Sequence, residues 1–260
     1  MVLYYAALDF ECTCCDQTPQ SEWLNEIIEF PVVFVNSRTL QVDFSFHSYV
    51  KPIEQRALTD FCTQLTGIVQ NQVTDAPELP DVLDMFQAFL DDHGLTPIGT
   101  DGPWDIFKFL VPECLRKRIP IPQWALHYAD VRRHFQYALR LEKWCSISSM
   151  LEMLGLTFEG RQHSGIDDAT NIATIIITLA NDRSQTMFTN RHVDVHSTPD
   201  LVNAALILDA NPSFYSNVNW SMMVDDDTRG RRRRQESKVD DNSNRSQDYR
   251  LCCTVDAKSS

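Results

Sequence analysis

Two carboxylates one residue apart, Asp9 and Glu11, close an apolar run that begins at Val2. In a strand, residues i and i+2 leave from one face, so both acids point the same way. Side by side in a buried setting they repel each other unless one is protonated or a cation lies between them. A divalent ion meets that need, and hard oxygen donors suit magnesium or manganese. The plainer alternative is a strand end carrying two surface acids, and the rest of the chain decides between the two.

Two further stretches carry acids where acids are costly. In Gln162-His163-Ser164-Gly165-Ile166-Asp167-Asp168, a helix starting after the glycine puts Asp168 on one stripe with Ile172, Ile175 and Leu179. A carboxylate on that buried face needs a ligand. Its neighbour Asp167 faces elsewhere and reads as a first-turn acid favoured by the helix dipole. His163 falls on the preceding loop, with Gly165 permitting a close approach. Asp105 follows the turn Thr100-Asp101-Gly102-Pro103-Trp104, where on its own it reads as a helix N-cap.

The elements that position these residues follow from pattern. Val2–Leu8 reads as a strand buried on both faces, with Ile27–Val35 and Leu40–Val50 as the second and third strands, joined through Asn36–Thr39. Pro52 ends the pairing. Leu58–Leu65 and a piece ending at Val73 read as short helices, and Val82–Leu90 has an apolar stripe at helical spacing before Gly94. Thr96–Gly99 reads as a fourth strand, Trp104–Leu110 as helix and Ala125–Val131 as the last strand. Helices are expected at Ile147–Leu154, closed by Gly155, and at Asp167–Ala180. Strands first in a meander and later alternating with helices indicate an α/β fold, a mixed sheet flanked by helices in a single domain over residues 1–190. Residues 191–224 read as an extension, partly helical over Asp200–Asp209. Residues 225–260 are polar and charge-mixed and are expected to be disordered.

Charge and cysteine usage narrow the class. The net charge is −13, and the tail from Asp225 holds nine Lys/Arg against eight Asp/Glu, so residues 1–224 carry −14. Such a domain lacks the basic footprint of a tight, non-specific nucleic-acid binder and must rely on bound cations and a few local bases. The eight cysteines read as reduced thiols, and Cys12, Cys14 and Cys15 lack the partners of a zinc site. His192, Asp194 and His196 read as a solvated loop triplet. No apolar stretch reaches membrane-span length. Val2–Leu8 lacks the flanks of a signal peptide, so a cytoplasmic or nuclear protein is expected. The basic run Arg229–Arg234 reads as solvated, with import or nucleic-acid contact as alternatives.

Together these residues resemble the DEDDh superfamily of 3′–5′ exonucleases: Asp-x-Glu in Asp9 and Glu11, the second motif in Asp105, and His-x4-Asp in His163 and Asp168. Several blocks are similar to the Eri/histone-mRNA 3′ exonuclease branch. They are Asp9-Phe-Glu-Cys-Thr-Cys, Glu26-Ile-Ile-Glu-Phe-Pro-Val-Val33, Leu65-Thr-Gly-Ile68, Thr100-Asp-Gly-Pro-Trp-Asp105 and His163-Ser-Gly-Ile-Asp-Asp-Ala-Thr-Asn-Ile-Ala173. The match runs from about Val2 to about Asn181. No SAP domain, which some members place before the nuclease, is seen ahead of the first strand, and the stretch after Arg191 has no recognised counterpart. The resemblance implies a ribonuclease-H-like fold and two Mg²⁺ ions, with Mn²⁺ as substitute, held by Asp9, Glu11, Asp105 and Asp168. It implies His163 as general base and RNA with a free 3′ end as substrate, releasing nucleoside 5′-monophosphates. It also suggests Thr13, Thr66, Gly67 and Ile68 at the terminal nucleotide and Trp104 stacking on its base. Protein partners, if any, would dock on the C-terminal tail.

Two rivals stand beside that reading: an exonuclease acting on single-stranded DNA with the same five residues, and a non-catalytic RNA-binding module on the same fold. Sugar preference rests on the 2′-hydroxyl, and no residue in the sequence can be assigned to reading it.

Overall fold

The computed structural model describes residues 4–18, 23–94, 98–100, 104–143, 145–183 and 191–192, all within the compact unit Met1–Val218. The expected helix at Asp200–Asp209, the Arg229–Arg234 run, the tail from Asp225, and Asp194 and His196 lie outside the described residues.

The sheet is built on β3 (Ile27–Asn36), nine of whose ten residues are buried. β1 (Tyr4–Leu8) runs antiparallel to it with Leu8 opposite Val32. The line of β1 breaks at Asp9 and Phe10 and resumes as β2 (Glu11–Cys12), which pairs Glu11 with Glu29 through a register shift. β4 (Val42–Tyr49) takes the opposite edge of β3, since Val32 faces both Leu8 and Phe46. On the far side of β1, β5 (Ile98–Thr100) and β6 (His127–Asp130) run parallel to it, with Leu8, Thr100 and Asp130 level. Three parallel strand ends therefore share one edge of the sheet. A two-residue strand, β7 (Arg191–His192), pairs antiparallel with β6 just beyond the expected domain end at 190.

Helices cover both faces. The first helices are short: α1 (Asp60–Thr66), capped by the Thr59 hydroxyl accepting from Cys62 N, and α2 (Gln70–Thr74). α3 (Leu79–His93) presents Phe86 and Phe89 to the rings of Phe30, Phe34, Phe44 and Phe46, an aromatic layer on one face. α4 (Val111–Lys117) follows a π-helical stretch over Trp104–Leu110. On the other face α5 (Val131–Leu139), α6 (Ile147–Met153) and α7 (Gly165–Arg183) pack Val131, Phe135, Met150, Leu151, Ile172 and Ile176 against Ala7, Val33 and Val35. The mixed, helix-flanked sheet is the α/β arrangement expected. None of the described helices is long and apolar enough to cross a membrane.

Two expectations are corrected. Ala125–Val131 is not one strand: Gln123–Leu126 is a 3-10 turn, the strand is His127–Asp130, and Val131 already begins α5. The Asp130 side chain ends the strand by accepting from Arg133 N, 2.8 Å, as an N-cap. The stretch Trp104–Leu110 is helical but of the wide π type, a form that clusters at functional sites.

Candidate active site

Asp9, Glu11 and Asp168 offer carboxylate oxygens that all lie within 4.8 Å of one another. The break in the strand makes this convergence: Asp9 leaves the end of β1, and Phe10 turns its ring into the aromatic layer, 4.6 Å from Phe30. Glu11 then re-enters the sheet in β2 beside it. Asp168 arrives from one turn inside α7, its N–H donating to Ser164 O at 2.8 Å. The stripe below it is closed, with Ile172, Ile175 and Leu179 buried.

Asp105 is 4% exposed but stands outside the group of three. Its Oδ1 accepts from Phe10 N at 2.8 Å. The second motif is thereby tied to the residue between the two acids of the first. His163 lies on the loop before α7, as the five-residue spacing required, and adopts a left-handed backbone there, φ 60°. Its N–H donates to Asp168 Oδ2, 2.8 Å, which fixes histidine and acid relative to each other. Asp167 turns away and accepts from Arg161 N at 2.9 Å.

The electrostatics follow from geometry. Burial pushes the Glu11 carboxyl well above the ordinary range, and the nearby charges of Asp168, Glu29 and Asp105 push it further. Removal from water, with the Arg161 charge adding to it, holds the His163 ring below its usual value, so near neutrality it is an unprotonated base. Three converging, mutually repelling oxygen donors fit a hard divalent cation, with Asp105 held one contact away.

The other sequence candidates separate. Thr66, Gly67 and Ile68 line a pocket of about 180 Å³ together with Glu29, Tyr49, Arg161 and Ser164. Gly67 is the left-handed cap of α1, φ 76°, and a Cβ there would strike the Arg161 guanidinium. The Thr66 hydroxyl donates to Cys62 O and accepts from Ile68 N, so it shapes this wall from within. Thr13 holds the fold next to the acids. It is 1% exposed, its hydroxyl accepts from Glu26 N, and its carbonyl accepts from Trp23 and Asn25, which latches β2 to β3. Trp104 is exposed, with Lys108 Nζ 4.7 Å from its ring centroid.

Sequence reasoning missed Glu29, His47 and Arg161. Glu29 carried a signal: a charged residue in the middle of an otherwise apolar strand has to be compensated. Arg161 gave none, because its bond to Gln64 O ties its loop to α1, 97 residues away in the chain.

Comparison with known proteins places this geometry. A family model described as exonuclease (RNase_T) matches residues 6–176. The mouse protein named 3′-5′ exoribonuclease 1 is 38% identical over 185 residues, covering 69% of this chain and 53% of that protein. The chain thus spans about half the length of that relative. The solved nuclease domain of 3′hExo, a DEDDh family member bound to rAMP, has a TM-score of 0.69 and 35% identity. That match covers 74% of this chain and 98% of that domain. A 3′-exonuclease solved in 3′-end specific recognition of the histone mRNA stem-loop has a TM-score of 0.66 and 36% identity, covering 70% of this chain and 65% of that one.

Proposed function

This chain belongs to the exonuclease (RNase_T) family, among the relatives of 3′-5′ exoribonuclease 1 and the DEDDh nucleases, and from that premise we propose that it is a divalent-metal-dependent 3′–5′ exoribonuclease. The observation that carries the reading is the convergence of Asp9, Glu11 and Asp168 within 4.8 Å, with the backbone N–H of His163 donating to the third.

Asp9, Glu11 and Asp168 would hold the metal, with Asp105 supporting Phe10 between the first two and within reach of the same charge field. Bound divalent ions, magnesium in this reading with manganese as substitute, neutralise charge on the attacking and leaving oxygens of a phosphodiester. The chain supplies the rest. His163, neutral near pH 7, accepts the proton of the attacking water as its oxygen bonds to phosphorus. The bond from phosphorus to the 3′-oxygen breaks, that oxygen takes a proton from solvent, and a nucleoside 5′-monophosphate leaves. The pocket walled by Thr66, Gly67 and Ile68 lies against Ser164, next to His163, and takes the terminal nucleotide in this reading, with Trp104 stacking on a base.

The test is digestion of a 5′-labelled single-stranded RNA with a free 3′-hydroxyl, beside the DNA of the same sequence and an RNA ending in a stem-loop. A ladder shortening from the 3′ end, requiring magnesium or manganese and abolished by EDTA, is expected. Internal cuts, or full hydrolysis after exhaustive chelation, would overturn the assignment, and equal digestion of DNA would overturn the RNA preference. From sequence alone the reading extends to a cytoplasmic or nuclear protein whose nuclease domain ends near residue 190. The charged segment from Asp225 is then a place for protein partners to dock, and a truncation retaining full activity is its check.

A further inference from the structure

We propose that Glu29 is a positioning residue for the site: its buried carboxylate fixes the start of α7, and through it His163 and Asp168, against the end of β1. The inference rests on the reading of Asp9, Glu11, Asp168 and His163 as the reacting group. Glu29 is 2% exposed in the middle of β3, flanked by Ile28 and Phe30, both fully buried. A carboxylate there is retained at a cost unless both oxygens are engaged. They are. Oε2 accepts from Gly165 N at 3.0 Å, and Oε1 lies 2.8 Å from His47 Nε2.

Gly165 N–H is the first amide of α7, one of the donors a helix leaves without an internal partner, at the end where its dipole favours negative charge. His163 lies two residues before this amide and Asp168 three after it. Contact at this point is close: a Cβ on Gly165 would come within 2.8 Å of Asp9 O and 3.0 Å of both Glu29 Oε2 and Pro31 Cγ. The helix start is therefore seated on the carbonyl of the first acid and clamped by Glu29. Glu29 pairs directly with Glu11 across β2 and β3, yet it is not among the three acids whose oxygens converge. The geometry makes it a brace, with His47 on β4 holding the brace from behind.

The test compares Glu29→Gln, Glu29→Ala and His47→Ala with Asp168→Asn in the full chain. Readouts are kcat and KM on RNA, Mn²⁺ affinity by calorimetry, and hydrogen exchange of the segment covering residues 160–170. Glutamine still presents an oxygen to Gly165 N, so Glu29→Gln is expected to leave Mn²⁺ affinity and exchange of residues 160–170 unchanged. Glu29→Ala is expected to lower kcat roughly 10–100-fold with KM little changed, and to speed exchange at 160–170. If alanine prevents folding, His47→Ala carries the test, with faster exchange in the same segment and a several-fold lower kcat. Glu29→Gln losing Mn²⁺ affinity as Asp168→Asn does would make Glu29 a ligand and overturn the proposal. Unchanged exchange in both Glu29→Ala and His47→Ala would also overturn it. Exchange is read whether or not the wild-type chain degrades RNA, so failure of the brace and failure of the nuclease reading give different results.

Discussion

Lys117→Met tests how the strand beneath Glu11 is held. Lys117 Nζ lies 2.6 Å from Glu26 Oε1 and 2.5 Å from Glu113 Oε1, and both carboxylates are fully buried. Glu113 Oε2 also accepts from Ile27 N, 2.7 Å, at the start of β3 where it pairs with Cys12 beside Glu11. Methionine keeps the length of the side chain and removes the ammonium, leaving two buried acids without their shared cation. Breaking a buried pair costs about 3–5 kcal/mol. Glu26 keeps the amides of Ile53, Glu54 and Gln55, which argues for the lower end, about 3 kcal/mol. In a domain of this size that lowers Tm by roughly 6–12 °C.

The pH dependence has a definite sign. Burial pushes Glu113 above its ordinary range even with Lys117 opposing it, and losing the ammonium pushes it higher. A carboxyl with a raised folded pKa costs stability that builds up as pH rises from the unfolded value towards the folded one, and it is relieved only below the unfolded value. For Glu26, burial raises the carboxyl, but the Gln55 amide, Lys117 and the other amides outweigh it and bring it below ordinary. Its stabilisation is thus present above the unfolded pKa and lost as pH falls through the folded one. The Glu113 effect makes the gap between wild type and variant wider at pH 7 than at pH 5, while the wild-type Glu26 contribution, whose window lies below the ordinary carboxylate value of about 4.3, is present at both. Circular dichroism melts at the two pH values measure it. A Tm within about 2 °C of wild type at both, or a gap widening toward pH 5, refutes the reasoning.

Asp168→Asn should lower turnover by orders of magnitude, whereas Asp167→Asn, whose carboxylate accepts from Arg161 N apart from the three converging acids, should stay within severalfold; initial rates on RNA at saturating magnesium decide it. His163→Ala should cost roughly 10²–10⁴-fold in kcat. The wild-type rate should climb with pH through a midpoint below the ordinary imidazole value of about 6.5, because the ring must be neutral to accept a proton and its pKa is lowered. A variant within threefold of wild type, with the same pH profile, removes His163 from the mechanism. Gly165→Ala forces the start of α7 off the Asp9 carbonyl, so about 1–3 kcal/mol of stability and at least tenfold in kcat should be lost. Urea unfolding and rate measurements check the two separately.

The site was legible where local rules sufficed. Asp168 stands on the buried stripe of Ile172 and Ile175, where helical periodicity puts it, whereas Asp9 and Glu11 converge through a break between β1 and β2 rather than through the alternation of one continuous strand. The five-residue spacing put His163 on the loop before the helix, where it lies; its left-handed backbone was not legible. What sequence did not carry was tertiary. The bond from Phe10 N to Asp105 crosses 95 residues, and the clamp from Glu29 to Gly165 crosses 136. The strand-latching bonds of Thr13 were likewise not legible, because a hydroxyl beside the acids suits a ligand and a strand latch equally until its partners are known. α5 escaped notice although Val131, Phe135, Ala138 and Leu139 recur at helical spacing and pack on the core, because its first residue reads as the end of the preceding strand. Ala125–Val131 misled as an apolar run divided between a 3-10 turn, a strand and a helix start.

The convergence of Asp9, Glu11 and Asp168 has a consequence for the chain as a polymer. An ion shared by these acids would join segments about 160 residues apart, a reversible cross-link across a loop whose closure entropy the folded sheet has already met. In a fragment that entropy is unmet. A chain cut in the exposed stretch after α5, at Glu142 or Lys143, would leave Asp9, Glu11 and Asp105 on one piece and His163 and Asp168 on the other. Neither piece alone would bind the ion well. Ion and second fragment would each tighten the binding of the other by the same factor, so a split form of this protein would reassemble as a cation-gated pair.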